Sequence, residues 1–212
     1  FEPHQSCFIL FSKDEIDGLV PDHVLAGPVS KTVLEGPWQV SFDPKWGGPE
    51  SILFDKLTDW SANQNEGIKY YSGIAVYKKL FDAPSFEGGS IGLKQSWILN
   101  LGEVKNMARV KLNGKDLGVV WTAPWQVNIS AALKATDNVL EIEVANLWPN
   151  RLIGDELLPD DGIQNGQWPD WLLKGLPRPS KRFSFTTFKH YSKESQLFKS
   201  GLLGPVSLIR KY

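Results

Sequence analysis

The chain has 212 residues, a formal net charge of −1 and 42% hydrophobic residues. That length is enough for one large domain with a proper core, or one domain plus a fragment of another. The near-neutral charge and the lack of any basic run exclude charge-driven binding to nucleic acid or to an acidic membrane surface, and no apolar stretch is long enough to span a bilayer.

Cys7 is the only cysteine, so no internal disulfide forms. The chain opens at Phe1 with neither an initiator methionine nor a signal peptide, and we expect it to be a mature or excised piece of something longer. "SCFILFSK" (Ser6 to Lys13) reads as a short apolar strand. The polar "DEIDGLVPDHVLAGPVSK", broken by Gly and Pro, reads as a linker. The main boundary is expected near Val29 to Thr32. Residues 1–31 would then be the last strand of a preceding domain with its linker, and residues 32–212 the main domain.

From "GPWQVSFD" onward the pattern is β. "YSGIAVYKKLFDA" alternates, with Ile74, Val76, Lys78 and Leu80 on one face and Ala75, Tyr77, Lys79 and Phe81 on the other. Apolar residues on both faces predict a strand between two layers. "QSWILNLG" is a further strand. In "ARVKLNGKDLGVVW", Asn113-Gly114 separates two apolar runs and supplies the positive-φ residues of a tight hairpin. "WQVNIS" and "NVLEIEVAN" are strands, with "AALKATD" between them as one short helical turn. The stretch from Asn146 to Trp171 has neither a strand nor a helix period, yet carries three tryptophans, an arginine and five carboxylates. Disordered segments are poor in aromatics, so an ordered, irregular loop is expected. "RFSFTTFKHY" and "GPVSLIRKY" read as the closing strands. Many short strands with turns between them predict a two-layer sandwich or barrel. The expected core includes Val76, Leu80, Ile98, Leu112, Leu140, Ile142 and Val144.

Three kinds of chemistry come into question. His4, His23 and His190 lie far apart and no His or Cys pair has metal-ligand spacing. Asp155, Glu156, Asp160 and Asp161 offer oxygen ligands that suit calcium, without matching the EF-hand loop. A solvated acidic loop is the commoner role of such a run, so no cofactor is expected beyond a structural calcium. Glycosidases need two carboxyls flanking the bond they break, but the sequence singles out no pair, and it has no nucleophile elbow, P-loop or dinucleotide fingerprint. A carbohydrate surface is the third. Trp121, Trp125, Trp148, Trp168 and Trp171 cluster in and around loops, and Asn146, Asn150 and Arg151 offer planar polar groups to hydroxyls beside them. The competing role for these tryptophans is to cap the open ends of a sandwich, and Arg151 has a structural alternative in pairing with Asp155.

"YKKLF", "LNLGEVKNMARVKLNGKDLG", "PWQVNI" and "NVLEIEVAN" together resemble the sugar-binding domain of glycoside hydrolase family 2. That resemblance implies a jelly-roll, galactose-binding-like β-sandwich with long loops. The flanking "GPWQVSFDPKWGGP", "NLWPNRLIGDE" and "RFSFTTFKHYSKESQLFKSGLLGPV" look like the C-terminal region of α-L-rhamnosidases of glycoside hydrolase family 106. The resemblance implies a catalytic barrel elsewhere in the parent enzyme, so this chain alone is expected to be non-catalytic. It implies an accessory, carbohydrate-binding module of a bacterial periplasmic or extracellular enzyme acting on plant or microbial polysaccharide. Its partners would be that carbohydrate and the parent's catalytic domain. The alternative is a purely structural domain that binds no sugar. The resemblance aims Asn146, Trp148, Asn150 and Arg151, with Asp155 next to them, toward the active-site side.

Overall fold

A computed structural model describes Phe11, Lys13, residues 30–84 and residues 96–211. Most of the expected N-terminal strand and most of the linker lie outside the described residues. The described chain forms an antiparallel jelly-roll β-sandwich with little helix.

One layer has six strands. In spatial order they are β3 (Ile52–Phe54), β2 (Trp38–Ser41), β4 (Ile74–Phe81), β10 (Asn138–Ala145), β7 (Met107–Leu112) and β8 (Lys115–Val120). The facing layer has four, in the order β1 (Ser30–Val33), β12 (Ser207–Lys211), β5 (Ser96–Asn100) and β9 (Gln126–Asn128). A small ribbon pairs β6 (Glu103–Lys105) with β11 (Gly201–Gly204).

β10 shows why the sequence folds this way. Its alternation sends Leu140, Ile142 and Val144 into the core, all fully buried. Glu141 and Glu143 face outward, where they meet Lys78 at 3.1 Å and Lys111 at 2.6 Å. Leu112 and Ile98 are buried as expected. Replacing Leu140 with alanine is expected to cost about 2–5 kcal/mol, since the well-packed layer cannot collapse into the space left; chemical denaturation of the purified chain measures it.

β4 departs from expectation. It is not sandwiched between two layers. Ala75 and Tyr77 face the core, while Leu80 is 73% exposed, Ile74 is exposed and Val76 is half-buried. Lys78 pairs with Glu141 on that same outer face, which marks it as a solvated surface. Sheets of this kind commonly bury one face only.

The Asn113-Gly114 hairpin forms between β7 and β8, with φ of 53° and 80° at the two turn residues. "AALKATD" gives a single turn in which Ala132 and Leu133 donate to the Ile129 carbonyl. "RFSFTTFKHY" forms no strand. Its backbone groups are taken by side chains instead, as described below.

The core is rich in aromatics. Trp60 stacks on Tyr77 with a 9° interplanar angle, and its Nε1–H donates to the Tyr77 hydroxyl at 2.6 Å. The backbone N–H of Leu202 donates to the same hydroxyl at 3.2 Å. Burial pushes the Tyr77 phenol well above its ordinary pKa, so it stays protonated. Among the described residues no helix is long and apolar enough to cross a membrane.

Candidate functional site

Strand register places several connections at one end of the six-stranded sheet. Ala145 of β10 lies opposite Ile74 of β4 and Met107 of β7, and Val120 of β8 lies opposite Ala108. The chain therefore leaves β10 at Asn146 and leaves β8 at Trp121 at this same end. Asn146 fixes the exit. Its Oδ1 accepts from the Gly73 N–H at 3.0 Å and its amide donates to the Tyr71 carbonyl at 2.8 Å.

The stretch after Asn146 is not wholly irregular. A one-turn helix, α1 (Glu66–Lys69), precedes β4, and Pro149–Asp155 form helix α2, with proline in its first turn, where its missing N–H costs nothing. Trp148 is the residue that precedes the helix, and its ring is half exposed. It meets the ring of Trp46 edge to face, with centroids 5.6 Å apart. Trp46 closes a 3-10 turn, Pro44–Trp46, that follows β2. Trp46 stands outside the five tryptophans whose neighbourhood in sequence marks them for a sugar surface. The signal available was "DPKWGG", where Asp43 caps the turn and Gly47 takes a left-handed φ of 83°, a turn with a tryptophan set in it.

Helix α2 turns its polar residues inward. Asn150 accepts from the Phe198 N–H at 2.8 Å and donates to the Phe198 carbonyl at 2.7 Å. Arg151 is only 6% exposed and lies between the rings of Tyr70 and Phe183. Its Nε sits 3.1 Å from Asp155 Oδ1, an ion pair closed by charge rather than by an aligned hydrogen bond. Burial pulls the Arg151 guanidinium below its ordinary pKa, and the Asp155 charge opposes that. The other Asp155 oxygen accepts from the N–H of Phe183 and from the N–H and hydroxyl of Ser184, at 2.9, 2.6 and 2.6 Å. Asp155 thus ties the start of the long connection to its return. The structural alternative for Arg151 is realised in this contact.

A second cluster lies further along. Arg178 grips Asp161 with two bonds of 2.7 Å and donates to the carbonyls of Arg182 and Ser184. Trp171 donates from its indole to the Asp161 carbonyl at 2.8 Å and lies under the Arg178 guanidinium. Phe185 stacks on Trp168 and meets Trp171 edge-on. Each acidic residue of the proposed calcium run faces a cation: Asp155 has Arg151, Glu156 has Arg182, Asp160 has Lys189 and Asp161 has Arg178. Among the described residues no three His, Cys, Asp or Glu side chains group to hold a metal.

Arg178, aided by Ser180, holds the Asp161 carboxyl down at about 2. A folded pKa below the unfolded value gives stability that is present above that unfolded value, near about 3.9, and lost as pH falls through the folded one. Melting temperature is therefore expected to fall between pH about 4 and about 2. Arg178→Ala should remove this part of the fall in a thermal titration across that range.

The nine sequence-chosen residues thus separate. Asn146, Asn150, Arg151 and Asp155 are engaged in holding the connection. Trp168 and Trp171 belong to the second cluster. Trp125 packs against the core and its carbonyl accepts from the Leu101 N–H. Trp121, 71% exposed, and Trp148 present open ring surface at one end of the sheet, and Trp46 joins Trp148 there.

No family model matches the chain. A "Putative beta-glucuronidase" of Formosa agariphila is 44% identical over 180 residues, 83% of this chain and 15% of that protein. The solved structure of a rhamnosidase from Novosphingobium sp. PP1Y superposes with a TM-score of 0.70 at 34% identity, over 89% of this chain and 16% of that one. A β-D-glucuronidase of Dictyoglomus thermophilum shares the fold, with a TM-score of 0.55 at 19% identity over 86% of this chain and 28% of that chain. In sequence and fold, this chain is similar to one segment, about a sixth in length, of much larger glycoside hydrolases.

Proposed function

We propose that this chain is a non-catalytic accessory β-sandwich of a secreted bacterial glycoside hydrolase, of the α-L-rhamnosidase kind. The end of the sandwich that carries Trp46, Trp148 and Trp121 would face carbohydrate or the parent enzyme's catalytic domain. The observation that carries this reading is the likeness to about one-sixth of two larger proteins, one named a rhamnosidase and one a glucuronidase. The ring surfaces support it, since the apolar C–H faces of sugars pack on flat aromatic rings. The ion-pair clasp around Asp155 and Asp161 favours a second, structural role for the connection, and the two roles coexist.

The purified chain is expected to turn over neither an aryl rhamnoside nor an aryl glucuronide, and to be retained on a polysaccharide affinity gel. Trp148→Ala should lose that retention with little change in melting, because the ring is half exposed. Turnover above a mock preparation would overturn the non-catalytic reading. Lack of retention on every glycan tested would leave only the structural role.

A further inference from the structure

Beside the tryptophan end lies a groove of about 270 Å³. It runs between the start of β7, the junction of β10 with α2 and the segment entering β11, and its lining includes Lys105, Asn106, Leu147, Phe198 and Lys199. None of its lining residues is acidic. Two lysines, Lys105 and Lys199, stand on its rim.

The walls are held in place. The backbone of Phe198 is fastened on both sides by Asn150, through its N–H and its carbonyl. Tyr191 meets the Phe198 ring edge to face at 6.3 Å, which fixes its plane while leaving the ring 49% exposed. Asn146, which also lines the groove, is tied to Gly73 and Tyr71. Side chains already locked by their own partners need not be ordered when a ligand arrives, which favours binding. Leu147 adds exposed apolar surface. Lys105 meets Glu103 at 3.0 Å, with Lys105 partly and Glu103 well exposed to solvent. Such a surface pair contributes little and yields readily to a competing anion.

We infer that this groove is a subsite for an acidic sugar, a pyranose carrying a carboxylate or a sulfate ester. Its C–H face would lie on Phe198 and Leu147, its anion between Lys105 and Lys199, and its hydroxyls within reach of Asn106. The volume is below the usual range for drug-sized ligands and suits a single ring rather than a long chain segment. The inference rests on the carbohydrate-binding reading given above and adds to it the class of sugar.

Calorimetric titration of the purified chain tests it with three hexasaccharide probes: an oligogalacturonate (carboxylate only), a carrageenan oligosaccharide (sulfate only) and neutral cellohexaose. At least one acidic probe is expected to bind roughly tenfold more tightly than the neutral one, with affinity that falls as salt is added. The stronger acidic probe names the anion. Lys105→Ala/Lys199→Ala and Phe198→Ala should each weaken that binding by roughly tenfold at unchanged melting temperature. The same charge change at the opposite end of the sandwich, Lys115→Ala/Lys134→Ala, should leave it intact. Equal affinity for the neutral and acidic probes overturns the acidic subsite while leaving carbohydrate binding standing. Equal weakening by the control pair also overturns it, since the attraction would then be diffuse. Failure of all three probes to bind overturns both.

Discussion

Asp155→Ala is expected to lower the stability of the chain by about 3–5 kcal/mol, because it leaves the buried Arg151 guanidinium without its counter-charge. The substitution also strips the acceptor from the N–H groups of Phe183 and Ser184. A buried donor left unpaired costs its own desolvation. Chemical denaturation should show a lower midpoint, and hydrogen exchange should show lost protection at Phe183 and Ser184 before the strands open. The pair is separable from the backbone bonds. Arg151→Met/Asp155→Leu should recover the part due to the unpaired charge, since replacing both partners of a buried ion pair by apolar groups is often close to neutral. It should not recover protection at Phe183 and Ser184. A single Asp155→Ala variant within about 1 kcal/mol of the parent would show that the connection is held by its apolar contacts and not by this clasp.

Gly201→Ala is expected to be comparably damaging, at about 2–5 kcal/mol from two additive causes. Gly201 has φ +96°, a region that favours glycine. A Cβ there would also run into the buried indole of Trp60 at Nε1, Cε2 and Cδ1. That indole cannot step aside without breaking its bond to Tyr77 and its stack on the same ring. Thermal melting of Gly201→Ala gives the size of the effect. The pairing of the damage with Trp60 is checked by Trp60→Phe/Gly201→Ala, where the smaller ring should return some of the lost stability. Full additivity of the two substitutions would show that only the backbone conformation matters.

Much of the sandwich is local in origin, and so is legible in the sequence. The alternation of "NVLEIEVA" needs one buried face to make sense, and the protein supplies it in Leu140, Ile142 and Val144. Asn113-Gly114 dictates its hairpin through the backbone conformations those two residues tolerate. Other parts could not be read this way. "RFSFTTFKHY" alternates like a strand, but a strand also needs a free partner edge. Here Asp155 takes its N–H groups and Arg178 its carbonyls before any edge can. Helix α2 has only seven residues, too few for a helical period to stand out, and an isolated helix of that length is not stable in water. Its formation depends on burying Asn150, Arg151 and Asp155 against distant segments.

The candidate site divides along the same line. Residue types alone marked Trp148 and the Arg151–Asp155 alternative, because a stacking ring and an i,i+4 charge pair are visible in one dimension. They could not say which tryptophans share a surface. Trp46 meets Trp148 only because β2 and β10 both finish at the same end of one sheet, and Trp168 is withdrawn to another cluster by Phe185. Leu80 shows the reverse case, an apolar residue on a strand whose two apolar faces predict an interior place, left in solvent by sheet packing. By itself the sequence determined the longer strands, the hairpin and the two-layer class, since these follow from backbone preference and a period of two. Which face is buried, which loops converge and which charges are neutralised were decided only by the tertiary structure, because each depends on what a distant segment brings to the same place.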